Sequence, residues 1–319
     1  MAIGVDFGAT KIATALVTTR GAVVASRTMP TGNEGDAESV LARIADEINA
    51  DRNEVEENVL GIGIGMPGLL KPDEGILIYA HNLGWNYIDI VESMRSHVDA
   101  PELPIWIQTD ANVCILGEYY FGAAQNCKNI LYTSIGTGLG GAVMCNGQLV
   151  TGVNNTAGFL GLYSLDPEGQ PDPSGLRGNT ETVVSGRGLV ALARELFSEG
   201  RLSTSLKDNE DLTPEAILEA AAKGDELATT AFEEMGRYLG IIWAPAVAVL
   251  NPESIVLAGG LGLAAFDLIV PTAREEMQRR LTPVSYAELK IVKSTLESSA
   301  VGAACLVFQN TGTSPDAPD

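Results

Sequence analysis

Asp110 stands in the stretch TDANVCILGE, which carries no other charge before Glu118. A carboxylate can take a proton from a hydroxyl, or it can close a turn or cap a helix, and this stretch alone leaves both roles open. A second stretch, DFGATK, sets Asp6, Gly8, Thr10 and Lys11 in a tight turn. Glycine lets the backbone approach a ligand closely, and the free N–H groups of such a turn can cradle phosphate. An aspartate just ahead of it can hold Mg²⁺ directly or through water. A hairpin with no ligand is the plain alternative. A third stretch, SIGTGLGGAV, supplies Gly136, Thr137, Gly138, Gly140 and Gly141. Each glycine inside a strand loses about 0.5–1 kcal/mol relative to alanine, so this density calls for a compensating role. In IVLAGGLG, Gly259 and Gly260 end a buried strand where a flat base could lie over the backbone. One such motif is weak evidence; three in this order point to a nucleotide.

The elements that must hold these residues follow from the apolar pattern. Residues 1–31 alternate between glycine-bounded apolar runs, which predicts three strands in antiparallel hairpins around the Asp6 turn. Residues 36–50 predict a helix, NVLGIGIGMPG a buried strand, and PIWIQ at 104–108 a short strand followed by the helix that carries Asp110. From about residue 129 the same grammar of strand, glycine turn, strand, turn and strand begins again. That repetition predicts two related α/β domains facing a cleft. Residues 163–180, rich in Pro and Gly, predict an irregular surface loop. Helices are predicted near 185–199, 213–222, 225–249 and 265–280, with the strand SIVLAGG before the last of these. A final helix near 298–309 is expected to pack back on the first domain. The expected boundaries are a small domain at 1–116 completed by that helix, a larger one at 117–297, and a flexible tail at 310–319.

Composition narrows the partners. The chain has 319 residues, with 41 acids against 20 bases and a net charge of −21. A nucleic-acid partner is not expected, because phosphate contacts need clustered Lys and Arg. Cys114, Cys127, Cys145 and Cys305 form no CxxC pair and sit among apolar residues, so buried reduced thiols are expected. The start MAIGVDFG has no signal-like pattern and no apolar run reaches about 18 residues, so a soluble cytoplasmic protein without a membrane partner is expected.

The order of motifs resembles the actin-like ATPase superfamily and, within it, the ROK family of sugar kinases and related repressors. DFGATKI is similar to the family's first phosphate motif, IGTGLGG to its second and IVLAGGLG to its adenosine motif, while GIGIGMPG, NLGW, DANVCILGE and SAVGAA match further blocks. The resemblance implies an α/β fold of two ribonuclease H-like domains around a central cleft, usually in a homodimer. It implies ATP and Mg²⁺ as cofactors, with Asp6 helping to hold the metal. Gly8, Thr10, Lys11, Gly136, Thr137, Gly138, Gly140, Gly259 and Gly260 are then expected at the nucleotide. Asp110 matches the family's catalytic base, and Gly68 and Asn82 fall in substrate-side blocks. ROK repressors carry a DNA-binding domain ahead of the first phosphate motif, which here begins at residue 6, so the kinase branch is expected.

The sequence departs from the family at the sugar. Family glucokinases read it with Asn-Asp, with Glu and His from E-x-x-H, and with a second Glu. Here those positions are Thr109, Asp110, Phe159, Leu162 and Glu181. Phe and Leu neither donate to nor accept from hydroxyls, and a buried hydroxyl without a partner costs about 1–3 kcal/mol. A substrate less polar at its reducing end is therefore expected: a deoxy sugar, a glycoside or a C7-cyclitol phosphorylated at a primary hydroxyl. The alternatives are a conventional glucokinase whose pocket is rebuilt from neighbours such as Asn154, Asn155 or Tyr163, and a non-catalytic sugar or nucleotide sensor. The family's zinc ligands match Leu162, Asp172, Ser174 and Asn179, none of which suits structural zinc, so no zinc is expected. His81 and His97 read as structural or surface residues.

Overall fold

The computed structural model describes residues 1–8, 10–32, 36–55, 58–169, 171, 175–206 and 212–313. They form two compact units: residues 1–126 with 149–157 and the chain from 295 onward, and residues 127–148 with 158–294.

In the first unit the sheet has the order β3-β2-β1-β4-β8, with β1 Ala2–Phe7, β2 Lys11–Val17, β3 Val23–Pro30, β4 Ile62–Met66 and β8 Ile105–Thr109. β1 pairs antiparallel with β2 and parallel with β4, which pairs parallel with β8. Helix α1, Ala37–Asn53, starts on an Asp36 cap that accepts from the Ser39 N–H, and its apolar face (Val40, Leu41, Ile44, Ile48) is buried with Ile3, Val5, Ile62 and Ile64. A small sheet of β5 Leu69–Lys71, β6 Ile76–Ala80 and β7 Trp85–Asp89 leads into α2, Ile90–His97. This sheet is absent from the sequence-based expectation, because its strands are three to five residues long and show little alternation. Helix α3, Asp110–Tyr120, follows β8 directly. The unit's last helix, α10 Ser299–Thr311, lies over β1 and β4 so closely that a Cβ on Gly4 or Gly63 would strike its backbone carbonyls. A boundary at 116/117 would cut α3 and separate Glu118 from its partners. That carboxylate is fully buried and accepts from the Ala123 N–H at 2.6 Å and the Leu296 N–H at 3.2 Å, so the unit continues to Asn126.

The second unit repeats the sheet as β11-β10-β9-β12-β13, with β9 Ile130–Ile135, β10 Leu139–Cys145, β11 Gln148–Val150, β12 Ser254–Ala258 and β13 Lys290–Lys293. β9 pairs antiparallel with β10 and parallel with β12. Its helices are α4 Gly186–Glu199, α5 Pro214–Ala222, α6 Glu226–Leu250, α7 Gly260–Ala264, α8 Phe266–Gln278 and α9 Pro283–Tyr286. Trp243 on α6 is wholly buried and donates to Thr133 Oγ1 on β9 at 3.0 Å, fixing the longest helix to the sheet without an unmet indole N–H.

Three expectations change. The 163–180 loop is exposed over much of its described length, but it is pinned by a bridge between Ser164 and Asn179, and Asn179 and Thr180 are buried. Cys114 and Cys305 are buried, whereas Cys127 and Cys145 are only half-buried. The expected tail begins inside α10, which runs to Thr311, and residues 314–319 lie outside the described set.

Candidate active site

The first unit brings its two candidate carboxylates together. Asp6 is near the end of β1, and Asp110 is the first residue of α3. Thr109, with extended backbone at ψ 151°, is the helix cap, its Oγ1 accepting from the Asn112 N–H at 3.4 Å. The cap of this helix therefore belongs to Thr109 and not to Asp110. Asp110 Oδ1 accepts from the Ala111 N–H at 2.7 Å. Thr109 itself is 3% exposed with its hydroxyl engaged, which does not suit the expected contact to a sugar.

Both carboxyls are shifted upward. Asp110 keeps contact with solvent, yet surrounding protein desolvates it enough to raise its pKa against the pull of the Ala111 and Asp110 N–H groups. Asp6 rises to about 6, first by burial and then by the nearby Asp110 charge, while a hydrogen bond from Ser299 and the charge of Lys11 oppose the rise. A buried carboxylate raised by a second carboxylate nearby favours a cation beside it. Magnesium bound with a nucleotide uses one or two carboxylates plus phosphates and water, and this pair is a donor set of that size.

Beneath Asp110, Gln108 Oε1 accepts from the Thr109 N–H at 2.8 Å, Asn112 Nδ2 at 3.1 Å and Asn155 Nδ2 at 2.8 Å. These buried amides hold the end of β8, and with it the start of α3, to the 149–157 segment. Sequence reasoning missed both Gln108 and Ser299, because each acts on a partner remote in sequence. A pocket of about 1010 Å³ in this unit is lined by Trp106, Gln108, Arg95 and Asn155 among others but by neither Asp6 nor Asp110, so its size does not mark the carboxylates.

The glycine turns differ in why they need glycine. Gly8, between β1 and β2, would place a Cβ against the Lys11 carbonyl, and Thr10 and Lys11 are exposed. In the second unit Gly259 has φ +82° and sits against the Ile135 backbone, and Gly138 is crowded by Glu181. Those glycines are needed by the chain itself. Gly136 and Gly260 have no heavy atom within 4 Å of a Cβ position and no left-handed φ, so the bare backbone faces open space that a ligand can enter. Thr137 is exposed at the tip of the same turn, and Gly140 pairs with Ser134 in the ladder.

Glu181 lies in a single helical turn, residues 180–182, against a second such turn at 160–162 that Phe159 precedes and Leu162 ends. Its Oε2 accepts from the Leu139 N–H at 3.0 Å and its Oε1 from Arg187 Nη2 at 2.8 Å. Phe159 is half-buried and Leu162 exposed. Gly68, at φ +117° against the Tyr79 carbonyl, is a backbone requirement, while Asn82 is exposed in the 81–83 turn beside His81, whose Nδ1 bonds the Tyr79 hydroxyl at 2.7 Å.

The ROK family profile matches residues 2–310. The chain belongs to the ROK family. It is similar to a glucokinase of Halalkalibacterium halodurans, with 32% identity over 96% of this chain and 94% of the relative. It is also similar to a xylose repressor of Caldicellulosiruptor bescii, with 27% identity over 96% of this chain and 77% of that protein. Among solved structures, a ROK family glucokinase from Streptomyces griseus in complex with glucose and AMPPNP matches with TM-score 0.77 and 27% identity over 97% of this chain and 99% of that one. The ROK fold is the two-domain actin-like ATPase fold, and the paired sheets described above are its two α/β domains. Of the positions matching ROK zinc ligands, Asp172 and Ser174 lie outside the described residues; Asn179 is buried and Leu162 is exposed. Among the described residues no helix is long and apolar enough to cross a membrane.

Proposed function

We propose that this ROK protein is an ATP-dependent kinase that transfers the γ-phosphoryl group to a primary hydroxyl of a sugar or sugar-like polyol. The observation that carries the reading is Asp110: Thr109 takes the cap, leaving at the head of α3 a carboxylate whose pKa is raised by burial and which, among the described residues, accepts from local backbone N–H groups. The raised pKa brings it closer to what a general base needs. In the reaction, Asp110 accepts the proton of the acceptor hydroxyl as that oxygen bonds the γ-phosphorus. The bond from that phosphorus to the bridging oxygen breaks, and ADP departs with the electron pair. In the first unit backbone N–H groups around Gly8 are offered to phosphate, and in the second the uncovered backbone at Gly136 and Gly260 is open to the nucleotide. Magnesium, held on the Asp6 side, would neutralise phosphate charge when bound.

Asp110 and Glu181 are the retained acceptor-reading groups, and Phe159 and Leu162 replace the family's Glu and His, which favours a substrate with fewer hydroxyls at its reducing end. The test is ADP release from Mg·ATP across glucose, mannose, fructose, N-acetylhexosamines, deoxy sugars, methyl glycosides and C7-cyclitols, with Asp110→Asn as control. Turnover confined to acceptors lacking reducing-end hydroxyls is expected. Efficient turnover of glucose would overturn the specificity, and no turnover with any acceptor would overturn the kinase reading.

A further inference from the structure

Glu181 is the acceptor-reading position that the second unit retains, and it does not stand alone. Its Oε2 is held by the Leu139 N–H at the start of β10, while Oε1 takes a hydrogen bond from Arg187 Nη2 at 2.8 Å. Arg187 sits in the first turn of α4, a helix fixed beside the glycine turn by the Ser185 cap and by a 2.8 Å bond from the Gly186 N–H to the Gly136 carbonyl. The two side chains are 33% and 62% exposed, so both remain open to a ligand. Among the described residues the guanidinium makes this one hydrogen bond out of five available N–H donors.

A Cβ on Gly161 would lie 3.5 Å from Glu181 Oε2, which places the carboxylate against the turn that Phe159 precedes and Leu162 ends. Neither of those side chains can bond a hydroxyl. A planar guanidinium held by a carboxylate is a preorganised donor, and it costs little further ordering when an acceptor oxygen arrives.

We propose that Arg187 sets acceptor specificity in this protein, holding the Glu181 carboxylate in place and presenting guanidinium N–H groups to acceptor oxygens that Phe159 and Leu162 cannot bond. This rests on the kinase reading above. It makes Arg187 a positioning residue toward Glu181 and a donor toward the substrate.

Steady-state kinetics of Arg187→Gln and Arg187→Lys, with the acceptor that the wild-type protein turns over best, test the inference. With Arg187→Gln, the KM for the acceptor should rise about tenfold or more, as expected for a charge-assisted hydrogen bond, while the KM for ATP stays within about twofold. Arg187→Lys should recover part of the loss, since it restores the charge but not the planar fork. The thermal midpoint should not move, because an exposed pair contributes little to stability. An active wild type whose acceptor KM is unchanged in Arg187→Gln overturns this inference alone, as does an equal rise in both KM values. A wild type inert toward every acceptor overturns the kinase reading and this inference with it.

Discussion

The β1–β2 hairpin and the β9–β10 hairpin occupy the same place in two sheets of the same strand order, and each ends in a glycine turn. Their chemistry differs. The first turn is flanked by Asp6 and Lys11, and Asp110 lies close enough to raise the Asp6 pKa. The second carries no ionisable residue between Ile135 and Leu139; Glu181 comes to it from a distant turn and is tied by Leu139 and Arg187. Repetition of a sheet therefore repeats the backbone cradle and not the charge. In the kinase reading, proton and metal chemistry falls to the first unit, and the second contributes anion-binding backbone and acceptor recognition.

The sharpest way to break that division is Asp110→Asn. Turnover should fall by about 10²–10⁴-fold while nucleotide affinity, measured by titration, changes little. Retention of most of the activity would take the base away from the first unit. Next in size is the double variant Phe159→Glu with Leu162→His, which should raise kcat/KM for glucose by about 10–100-fold if acceptor reading belongs to the second unit. A smaller effect separates the glycines. Gly136→Ala should weaken ATP binding by about tenfold at an unchanged melting temperature, because open space surrounds that position. Gly259→Ala should instead destabilise the fold by about 1–3 kcal/mol in urea titrations, because φ is +82° and the Ile135 backbone is in the way.

The last test uses proton linkage. Asp6 has a native pKa of about 6 against an ordinary aspartate value of 3.8, so within that window the native state holds a proton that the unfolded chain releases. The resulting penalty grows as pH rises through the window and is constant above it. Asp6→Asn should be more stable than wild type at neutral pH by about 1–3 kcal/mol, with the difference vanishing toward pH ~4. Equal urea midpoints for the two proteins at neutral pH would show that Asp6 is not strained by its surroundings.

Much of the scaffold was legible because it depends on local pattern. The glycine-bounded apolar runs of residues 1–31 became β1, β2 and β3, and the acidic start with helical spacing after Asp36 became α1. The short strands between 69 and 89 were not legible, since three to five residues carry too little periodicity. A domain boundary inside α3 looked acceptable until the Glu118 bonds to Ala123 and Leu296 showed what the helix end holds. At the site, Thr109 and Asp110 are both good cap residues standing side by side. Only the extended backbone at Thr109 and the Asn112 bond assign the cap.

By itself the sequence determined the residues that do not depend on neighbours: the order of the three glycine turns, the aspartate beside the first, and the apolar Phe159 and Leu162 where the family resemblance implies hydroxyl-reading groups. Those are matters of residue type and short spacing. Tertiary structure decided the surroundings of these groups. Burial and a second carboxylate raise Asp6, Thr109 releases Asp110 from capping, and Arg187 reaches Glu181 across a helix start. Desolvation, charge proximity and hydrogen-bond partnership are properties of distances in space, and residues far apart in the chain acquire them only when the sheets and helices bring them together.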